Sequence, residues 1–246
     1  MTHEATLEKM REMKLYGMAH AFRATMEKDF AYNFTTDELI THLVDSEWEE
    51  RYNRRLARLL KMANFRYSSS FEQINFEHKR NLDKNILLRL SNCDWIKKGE
   101  NVLITGPTGV GKSFLACALG HHACMNGFKV LYFNAMKLFS KLKYAKADGT
   151  YAKEQKKIQK QNIIIIDDFG LHPIDEHCKL ILLELLEDRY GAQSTVITSQ
   201  LPVNRWHDLI ASATIADAIC DRLVHNSYKI DLKGDSMRKI LKNNSG

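Results

Sequence analysis

Three features are scarce in this 246-residue sequence: proline, paired cysteines and long apolar runs. None of the 3 prolines interrupts residues 1–63, so helices can continue there unbroken. The 5 cysteines are odd in number and form no Cys-x-x-Cys pair, which favours reduced thiols over a disulfide framework or a zinc site. No run approaches the roughly 20 apolar residues of a membrane span, and the charged N-terminus has no signal-peptide core. We therefore expect a cytoplasmic protein without membrane contact.

Two parts of the chain differ in their hydrophobic pattern. Residues 1–63 place apolar side chains at helical spacing, and Thr35-Thr-Asp-Glu38 has the form of a capping box ahead of a second apolar run. This pattern predicts a small all-helical N-terminal domain at 1–63. The polar stretch from Asn64 to Ser70 marks its boundary with a second domain at 64–246.

The second part alternates short apolar runs with helical stretches. Strands are expected at 101–105, 129–133, 162–166, 195–199 and 228–232. Such alternation is typical of α/β proteins, and it predicts a parallel five-stranded sheet sandwiched by helices. The basic excess of the +6 chain lies in this part, which raises the expectation of an anionic partner such as nucleic acid.

Four arginines recur on one face of the second predicted helix of the N-terminal domain. They are Arg51, Arg54, Arg55 and Arg58. One interpretation is a solvated face, partly paired with Glu47 and Glu50. The other is a stripe that contacts phosphates, and the sequence leaves both open.

A phosphate-binding motif follows the first predicted strand. Gly106-Pro-Thr-Gly-Val-Gly-Lys-Ser113 matches the Walker A pattern G-x-x-x-x-G-K-[ST], between the strand NVLIT and a helix. The glycines let backbone N–H groups surround a phosphate, and the helix N-terminus adds its dipole. Lys112 is expected at the β- and γ-phosphates of ATP, and Ser113 at Mg²⁺. The predicted nucleotide-binding residues are Gly106, Pro107, Thr108, Gly109, Val110, Gly111, Lys112, Ser113 and Phe114.

The stretch Asn162-Ile-Ile-Ile-Ile-Asp-Asp-Phe-Gly170 supplies the acids of a Walker B motif. Its four isoleucines predict a strand buried on both faces. Asp167 is expected to hold the Mg²⁺ shell together with Ser113. Asp168 would then orient or deprotonate the attacking water, which favours hydrolysis of ATP over binding alone. A loop or cap role for Asp168 is the alternative.

Other classes of phosphate-loop protein find less support in the sequence. It contains no guanine-reading NKxD motif, no LSGGQ signature of transporters and no arginine-rich lid. The strand TVITSQ instead ends in polar residues. If this strand lies between the two Walker strands, Ser199 or Gln200 would face the γ-phosphate, which is the sensor-1 position of AAA+ ATPases. An ordinary polar strand end is the alternative.

Two arginines near the end of the chain complete this pattern. Arg222, in the word DRL before the last strand, is the predicted finger that reaches the nucleotide of a neighbouring subunit. Arg238, in the word GDSMR, is the predicted sensor 2 that contacts the γ-phosphate of its own subunit. A surface salt bridge is the alternative for either one alone. Together they predict a homo-oligomer with ATP at its subunit interfaces.

These stretches resemble the IstB family, which comprises AAA+ helper ATPases encoded beside the transposase of bacterial insertion sequences. The resemblance covers nearly the whole chain, and its most specific part is residues 199–239, with TIADAICDRLVHNSYKIDLKGDSMRK. That family is similar to the helicase loader DnaC and, more distantly, to the initiator DnaA. The resemblance implies self-assembly on duplex DNA, remodelling of that DNA and stimulation of a cognate transposase. The acid after Walker B is commonly Glu in AAA+ proteins, so the shorter Asp168 predicts slow hydrolysis.

Lysines dominate residues 137–160, where eight of them accompany two acids. In initiator-like AAA+ proteins this position carries a helix that lines the inside of the assembly, so the resemblance points to phosphate contacts without base reading. Lys141, Lys143 and Lys146 are the predicted DNA contacts, with a solvated helix as the alternative. Two other functions stay open: a DnaC-like loader of a replicative helicase, and a nucleotide-switched adaptor with little turnover.

Overall fold

The computed structural model describes residues 2–27, 34–76, 78 and 80–237. The chain divides into two compact units, Met1–Arg58 and Leu59–Gly246. The domain boundary predicted after residue 63 coincides with the end of a long helix, and it stays a prediction. Within the described ranges, none of the helices has the length and apolar character that crossing a lipid bilayer requires.

The first unit is helical. Its helices are α1 (His3–Glu12), α2 (Tyr16–Glu27) and α3 (Thr36–Ala63), of which α3 continues into the second unit. The predicted capping box is confirmed, because the Thr35 N–H donates to Glu38 Oε2 at 2.8 Å and the Glu38 N–H donates to Thr35 Oγ1 at 3.3 Å. Both bonds satisfy donors that the start of α3 would otherwise leave without a partner.

Arg51 and Arg54 of the stripe have contacts inside this unit. Arg51 Nε lies 2.6 Å from Glu47 Oε1, and the Arg54 guanidinium lies 5.3 Å from the ring centre of Tyr16. These contacts agree with the interpretation of a paired, solvated face for Arg51. The phosphate-contacting interpretation of the stripe as a whole stays a prediction.

The second unit contains the alternating helices and strands. Its helices are α4 (Lys84–Ser91), α5 (Asp94–Lys97), α6 (Lys112–Met125), α7 (Ala135–Ala147), α8 (Tyr151–Gln159), α9 (Glu176–Glu187), α10 (Trp206–Ile210) and α11 (Ala213–Val224). Its strands are β1 (Asn101–Thr105), β2 (Val130–Asn134), β3 (Ile163–Phe169), β4 (Ser194–Ser199) and β5 (Ser227–Asp231). Each strand begins within one residue of its predicted position, and β3 runs three residues further than expected.

The five strands are parallel and lie in the order β2-β3-β4-β1-β5. This arrangement confirms the predicted α/β fold with a five-stranded parallel sheet. It also places β4 between the two Walker strands, β1 and β3. Because parallel strands end at the same edge of a sheet, the carboxyl ends of these three strands meet, and ligands of such sheets bind at this edge.

Both faces of the sheet are covered by helices. Helix α6 packs against strands β1 to β4, and helices α7, α9 and α11 pack over the other face, which includes Leu103, Ile164 and Ile197. All four isoleucines from Ile163 to Ile166 are fully buried. The run of β-branched apolar residues therefore packs against helices on both faces of the sheet.

A buried arginine connects chain segments at the opposite, amino-terminal edge of the sheet. Arg189 is 1% exposed. Its guanidinium donates to the backbone carbonyls of Ile158, Gln161, Asn162 and Ser194. These bonds join the end of α8 to the starts of β3 and β4, so one side chain fixes the register at this edge.

We expect Arg189→Met to lower the free energy of unfolding by about 3 kcal/mol, because four buried carbonyls lose a charged donor. Equilibrium unfolding in urea measures this loss. Arg205→Met is the matched control: Arg205 is exposed and forms a surface ion pair with Asp208 at 3.0 Å, so less than about 0.5 kcal/mol should be lost. Equal midpoints for the two variants would contradict a structural role for Arg189.

Candidate nucleotide-binding site

The Walker A loop connects β1 directly to α6, and its glycines are required by close neighbours. Gly109 has φ +89°, and a Cβ atom there would lie 2.2 Å from Ser236 Oγ. A Cβ on Gly106 would lie 2.2 Å from the carbonyl oxygen of Leu232. Since only glycine fits these positions, the loop can turn its backbone N–H groups toward a phosphate at the start of α6.

A buried arginine holds the backbone of this loop through a hydrogen bond. Arg80 is 5% exposed, and its guanidinium donates to the carbonyl of Val110 at 3.2 Å and to that of Asn75 at 2.8 Å. Holding the Val110 carbonyl outward keeps the neighbouring N–H groups free for a ligand. Arg80 was missed in the sequence because it lies 30 residues before the loop residue that it holds.

Lys112 and Ser113 begin α6 and lie where the motif requires them. Lys112 Nζ donates to the carbonyl of Pro107 at 2.8 Å, so the side chain crosses the loop. Ser113 Oγ donates to Asp167 Oδ1 at 2.8 Å. The structure thus brings the predicted metal-binding pair together at the carboxyl edge of the sheet.

Asp167 is fully buried and accepts several hydrogen bonds. Besides Ser113, the hydroxyls of Thr198 and Tyr132 donate to it, the latter at 2.5 Å. Burial, followed by the bond with Asp167, raises the pKa of the Tyr132 phenol, so that the phenol stays protonated and donates. Three strands and α6 therefore converge on a single carboxylate.

This donor set fits Mg²⁺. The ion keeps several waters and takes one or two oxygen ligands from a protein together with substrate phosphates, and the Ser113 hydroxyl and the Asp167 carboxylate supply such oxygens. No larger group of three or more His, Cys, Asp or Glu side chains with metal-binding geometry occurs in the part of the chain that the structure describes. Bound there, Mg²⁺ would neutralise charge on the phosphates of ATP.

Asp168 has an unusual backbone conformation. Its φ is +60°, which is uncommon for a residue other than glycine, and the β3–β4 register shifts between Ile166 and Phe169. The Asp168 N–H donates to Thr198 Oγ1 at 3.0 Å, which holds the turn. Asp168 Oδ2 accepts a bond from Asn134 Nδ2 at 3.3 Å. Strained conformations of this kind persist where the surroundings fix them, and they cluster at functional sites.

The structure gives the end of β4 a different arrangement from the predicted one. Thr198 contacts both Walker B acids, through Asp167 and the Asp168 N–H. Ser199 is buried, and its hydroxyl donates to the carbonyl of Phe169 at 2.8 Å, away from these carboxylates. Gln200 is exposed, and the sensor-1 role of Ser199 or Gln200 stays a prediction. Side chains alternate along a strand, so the sequence could not decide which neighbour faces the site.

Arg222 lies far from the Walker residues of its own chain. It occupies the last turn of α11, and its carbonyl accepts a bond from Asn101 Nδ2 at 2.9 Å, at the beginning of β1. The strand β1 rises about 3.3 Å per residue before the phosphate loop begins. The Arg222 side chain forms an ion pair with Glu187. The structure therefore does not bring Arg222 and Lys112 together within one chain.

Arg238 lies outside the described residues, so its sensor-2 role stays a prediction. The residues before it contact the phosphate loop: the Met237 N–H donates to the carbonyl of Gly109 at 2.9 Å, beside Ser236. The GDSM part of the motif thus lies against Walker A.

All three predicted DNA-contacting lysines have acidic partners. Lys141 Nζ lies 2.6 Å from Glu154, and Lys146 Nζ lies 3.4 Å from Glu184. Lys143 pairs with Asp175, and this bond lowers the pKa of the Asp175 carboxyl. These partners were missed because Asp175 and Glu184 come from another helix, α9, and its N-cap.

Comparisons with known proteins agree with this geometry. Over 239 residues the chain is 44% identical to the putative insertion sequence ATP-binding protein y4pL of Sinorhizobium fredii, covering 97% of this chain and 98% of that protein. It is 37% identical to the putative ATP-binding protein of insertion sequence IS1162 from Pseudomonas fluorescens, covering 82% and 88% of the two chains.

Solved structures show the same fold at low identity. The DnaC helicase loader matches with a TM-score of 0.55 at 20% identity, over 65% of this chain and 95% of that one. The replication initiator DnaA, bound to AMPPCP and single-stranded DNA, matches with a TM-score of 0.58 at 16% identity, over 74% and 55% of the two chains. The family model of the IstB-like ATP binding proteins matches residues 8–245. The chain therefore belongs to the family of IstB-like ATP-binding proteins.

Proposed function

We propose that this protein is an ATP-hydrolysing helper of a transposase, which assembles on duplex DNA and recruits or stimulates the transposase at its target site. The observation that carries the proposal is the pair of Walker B acids at the carboxyl edge of the sheet. Asp167 is tied to Ser113, and Asp168 is held beside it in a strained conformation. A site that only bound nucleotide would have no need for a second, partly exposed acid at this position.

The relatives favour transposition over helicase loading. The similar proteins described above are named for insertion sequences, at up to 44% identity, whereas the DnaC likeness is one of fold alone. A nucleotide-switched adaptor would differ by lacking turnover. Measuring ATP hydrolysis with and without duplex DNA separates that alternative from the proposal.

Oligomerisation is part of this proposal, and the position of Arg222 supports it. An arginine at the amino-terminal edge of the sheet cannot serve its own phosphate loop, but it can serve that of a neighbour. The ion pair with Glu187 holds the guanidinium at the surface, where the side chain of Arg222 is 23% exposed. Arg222 would then stabilise charge on the γ-phosphate of the adjacent subunit, with ATP and Mg²⁺ at each interface.

Mixing two inactive variants tests this arrangement. Asp168→Asn removes the acid and Arg222→Ala removes the finger, so each alone should lose at least about 90% of DNA-stimulated turnover. In co-assembled mixtures some interfaces pair an intact Asp168 with an intact Arg222, and activity should partly return. Arg238→Ala mixed with Asp168→Asn should not recover, because the site of every subunit then lacks either Arg238 or Asp168 and no site is complete.

Recovery with Arg238→Ala but not with Arg222→Ala would reverse the two assignments. Lack of recovery in both mixtures, in particles shown to contain both variants, would count against a shared site. Asp168→Asn alone separates hydrolysis from binding, because it should keep ATP affinity. Turnover at the parental rate in that variant would leave Asp168 a structural residue.

We propose that DNA binds the lysine-rich residues 137–160. Ion pairs distinguish the lysines of α7 from those on and just after α8. The lysines of α7 named above are neutralised by acids. On and just after α8, Lys153, Lys156, Lys157 and Lys160 are exposed, and none of them forms an ion pair among the described residues. Unpaired lysines release more counterions when they bind a phosphate backbone. We therefore expect the lysines of α8 to contribute more than those of α7 to the affinity for DNA and to its salt dependence.

Two triple variants test this division. Replacing Lys153, Lys156 and Lys157 by Ala should reduce the slope of log affinity against log salt by up to about 2.7, since each phosphate of B-DNA that a lysine neutralises adds about 0.9 to that slope. Replacing Lys141, Lys143 and Lys146 by Ala serves as the control with the same change in charge, and we expect a smaller reduction. Unchanged slopes in both would move the DNA site away from this segment, and a larger effect of the α7 set would assign the DNA contacts to α7.

A further inference from the structure

An arginine that belongs to neither Walker motif lies against both Walker B acids. Arg66 Nη1 lies 3.1 Å from Asp168 Oδ2 and 3.4 Å from Asp167 Oδ2. The Arg66 guanidinium also lies 5.4 Å from the ring centre of Tyr67, which limits its movement on one side. One nitrogen thus connects a buried carboxylate to a partly exposed one, about 100 residues away in sequence.

The segment that carries Arg66 is fixed on helix α6. Asn64 ends α3 with φ +54°, and the chain then crosses α6, which begins at the phosphate loop. Ser69 Oγ donates to the carbonyl of Phe114 at 3.1 Å, which anchors one side of the segment. Phe65 anchors the other side.

Gly120 reveals how closely this anchor packs. A Cβ atom on Gly120 would lie 2.5 Å from Phe65 Cε1 and 2.8 Å from Ile165 Cδ1. Glycine inside a helix costs about 0.5–1 kcal/mol relative to alanine, so its presence in the middle of α6 requires a packing reason. The space that it leaves is occupied by Phe65, the residue next to Arg66. The position of Arg66 is therefore set by packing on both sides of it.

The two carboxylate oxygens of Asp168 have different surroundings. Oδ2 accepts bonds from Arg66 and from Asn134, at 3.1 Å and 3.3 Å. No donor to Oδ1 occurs among the residues that the structure describes. A carboxylate held through one oxygen keeps a defined orientation and leaves the other oxygen to accept a proton from water.

We propose that Arg66 is a positioning residue of the hydrolytic site, which orients Asp168 through Oδ2 so that Oδ1 meets the attacking water. This inference rests on the proposed hydrolysis of ATP. Arg66 acts through Asp168 and does not itself contact the reacting atoms. Asn134, on the neighbouring strand β2, is the second donor to the same oxygen.

A purely structural ion pair explains the arrangement less well. The Arg66 side chain is 42% exposed, and ion pairs with so much solvent access contribute little to stability. Asp167 already accepts bonds from three hydroxyls, so it does not depend on Arg66 for its hydrogen bonds. What Arg66 adds is a second donor to the Asp168 carboxylate, which is 22% exposed and which among the described residues otherwise accepts a bond from Asn134.

The test compares Arg66→Gln with Arg89→Gln in the full-length protein, on duplex DNA and at saturating Mg²⁺. Arg89 is exposed on α4, so its replacement is a control with the same change in charge. For Arg66→Gln we expect kcat to fall about tenfold or more, because the general base loses its orientation. The dissociation constant of a fluorescent ATP analogue and the melting temperature should stay unchanged. Added methylguanidinium should restore part of the lost kcat, and Arg89→Gln should behave as the parent.

Several outcomes would overturn the inference. Turnover of Arg66→Gln within twofold of the parental value would show that Asp168 needs no help from Arg66. An equal loss of ATP affinity would make Arg66 a binding residue instead. If Arg66→Gln does not fold, Arg66→Lys takes its place: it keeps the charge but loses the guanidinium, and parental kcat in that variant overturns the inference as well. Absence of turnover in the parent itself is a different result, because it removes the proposed hydrolysis and not only the role of Arg66.

Discussion

The buried carboxylate of Asp167 is the constraint on which the nucleotide-binding edge depends. It receives hydroxyl groups from the start of α6, from β2 and from β4, so four elements must be in register for its hydrogen bonds to form. A buried carboxylate without these donors would cost several kcal/mol, which couples the assembly of the sheet to the assembly of the site. The phosphate loop and the Walker B strand are therefore parts of one cooperative structure.

Asp168 differs from its neighbour because it is not part of this buried network. Its backbone leaves the regular strand at φ +60°, which turns the side chain into a partly exposed position. In the proposed hydrolysis Asp168 would need that exposure, since a base must meet water, and it would also need a fixed orientation. The bond from its N–H to Thr198 holds the backbone, while Asn134 and Arg66 hold the carboxylate. Arg66 donates to both carboxylates, but Asp167 is held mainly by hydroxyl groups, whereas the partly exposed Asp168 carboxylate is held by Asn134 and Arg66.

Local features of the site were predictable from sequence, and features that depend on tertiary contacts were not. The Walker A motif combines glycine, lysine and serine at a fixed spacing, and the isoleucine run identifies a strand buried on both faces, so the sheet and the loop followed from short stretches. No such pattern identifies Arg66 or Arg80, because both come from segments far from the site in sequence. The segment of Arg66 packs on α6, and Arg80 contacts the phosphate loop. The mid-helix Gly120 was the one local signal of that wrapping, and it marks the place where Phe65 packs. For Lys143 and Lys146 of α7 the sequence showed the charge but not the acidic partners, Asp175 at the N-cap of α9 and Glu184 on α9.

The two edges of the sheet would give a direction to the assembly proposed for this protein. The phosphate loop and Walker B acids lie at the carboxyl edge, whereas Arg222 lies beside the first residue of β1 at the amino edge. If Arg222 serves a neighbouring site, the surface that gives the arginine differs from the surface that receives it, so the contact is head-to-tail and not two-fold symmetric. Repeating a head-to-tail contact generates a closed ring or an open helical filament, depending only on the rotation between subunits. If the protein assembles on duplex DNA as proposed, a directional repeat would let each subunit present its α8 lysines to the phosphates in the same orientation.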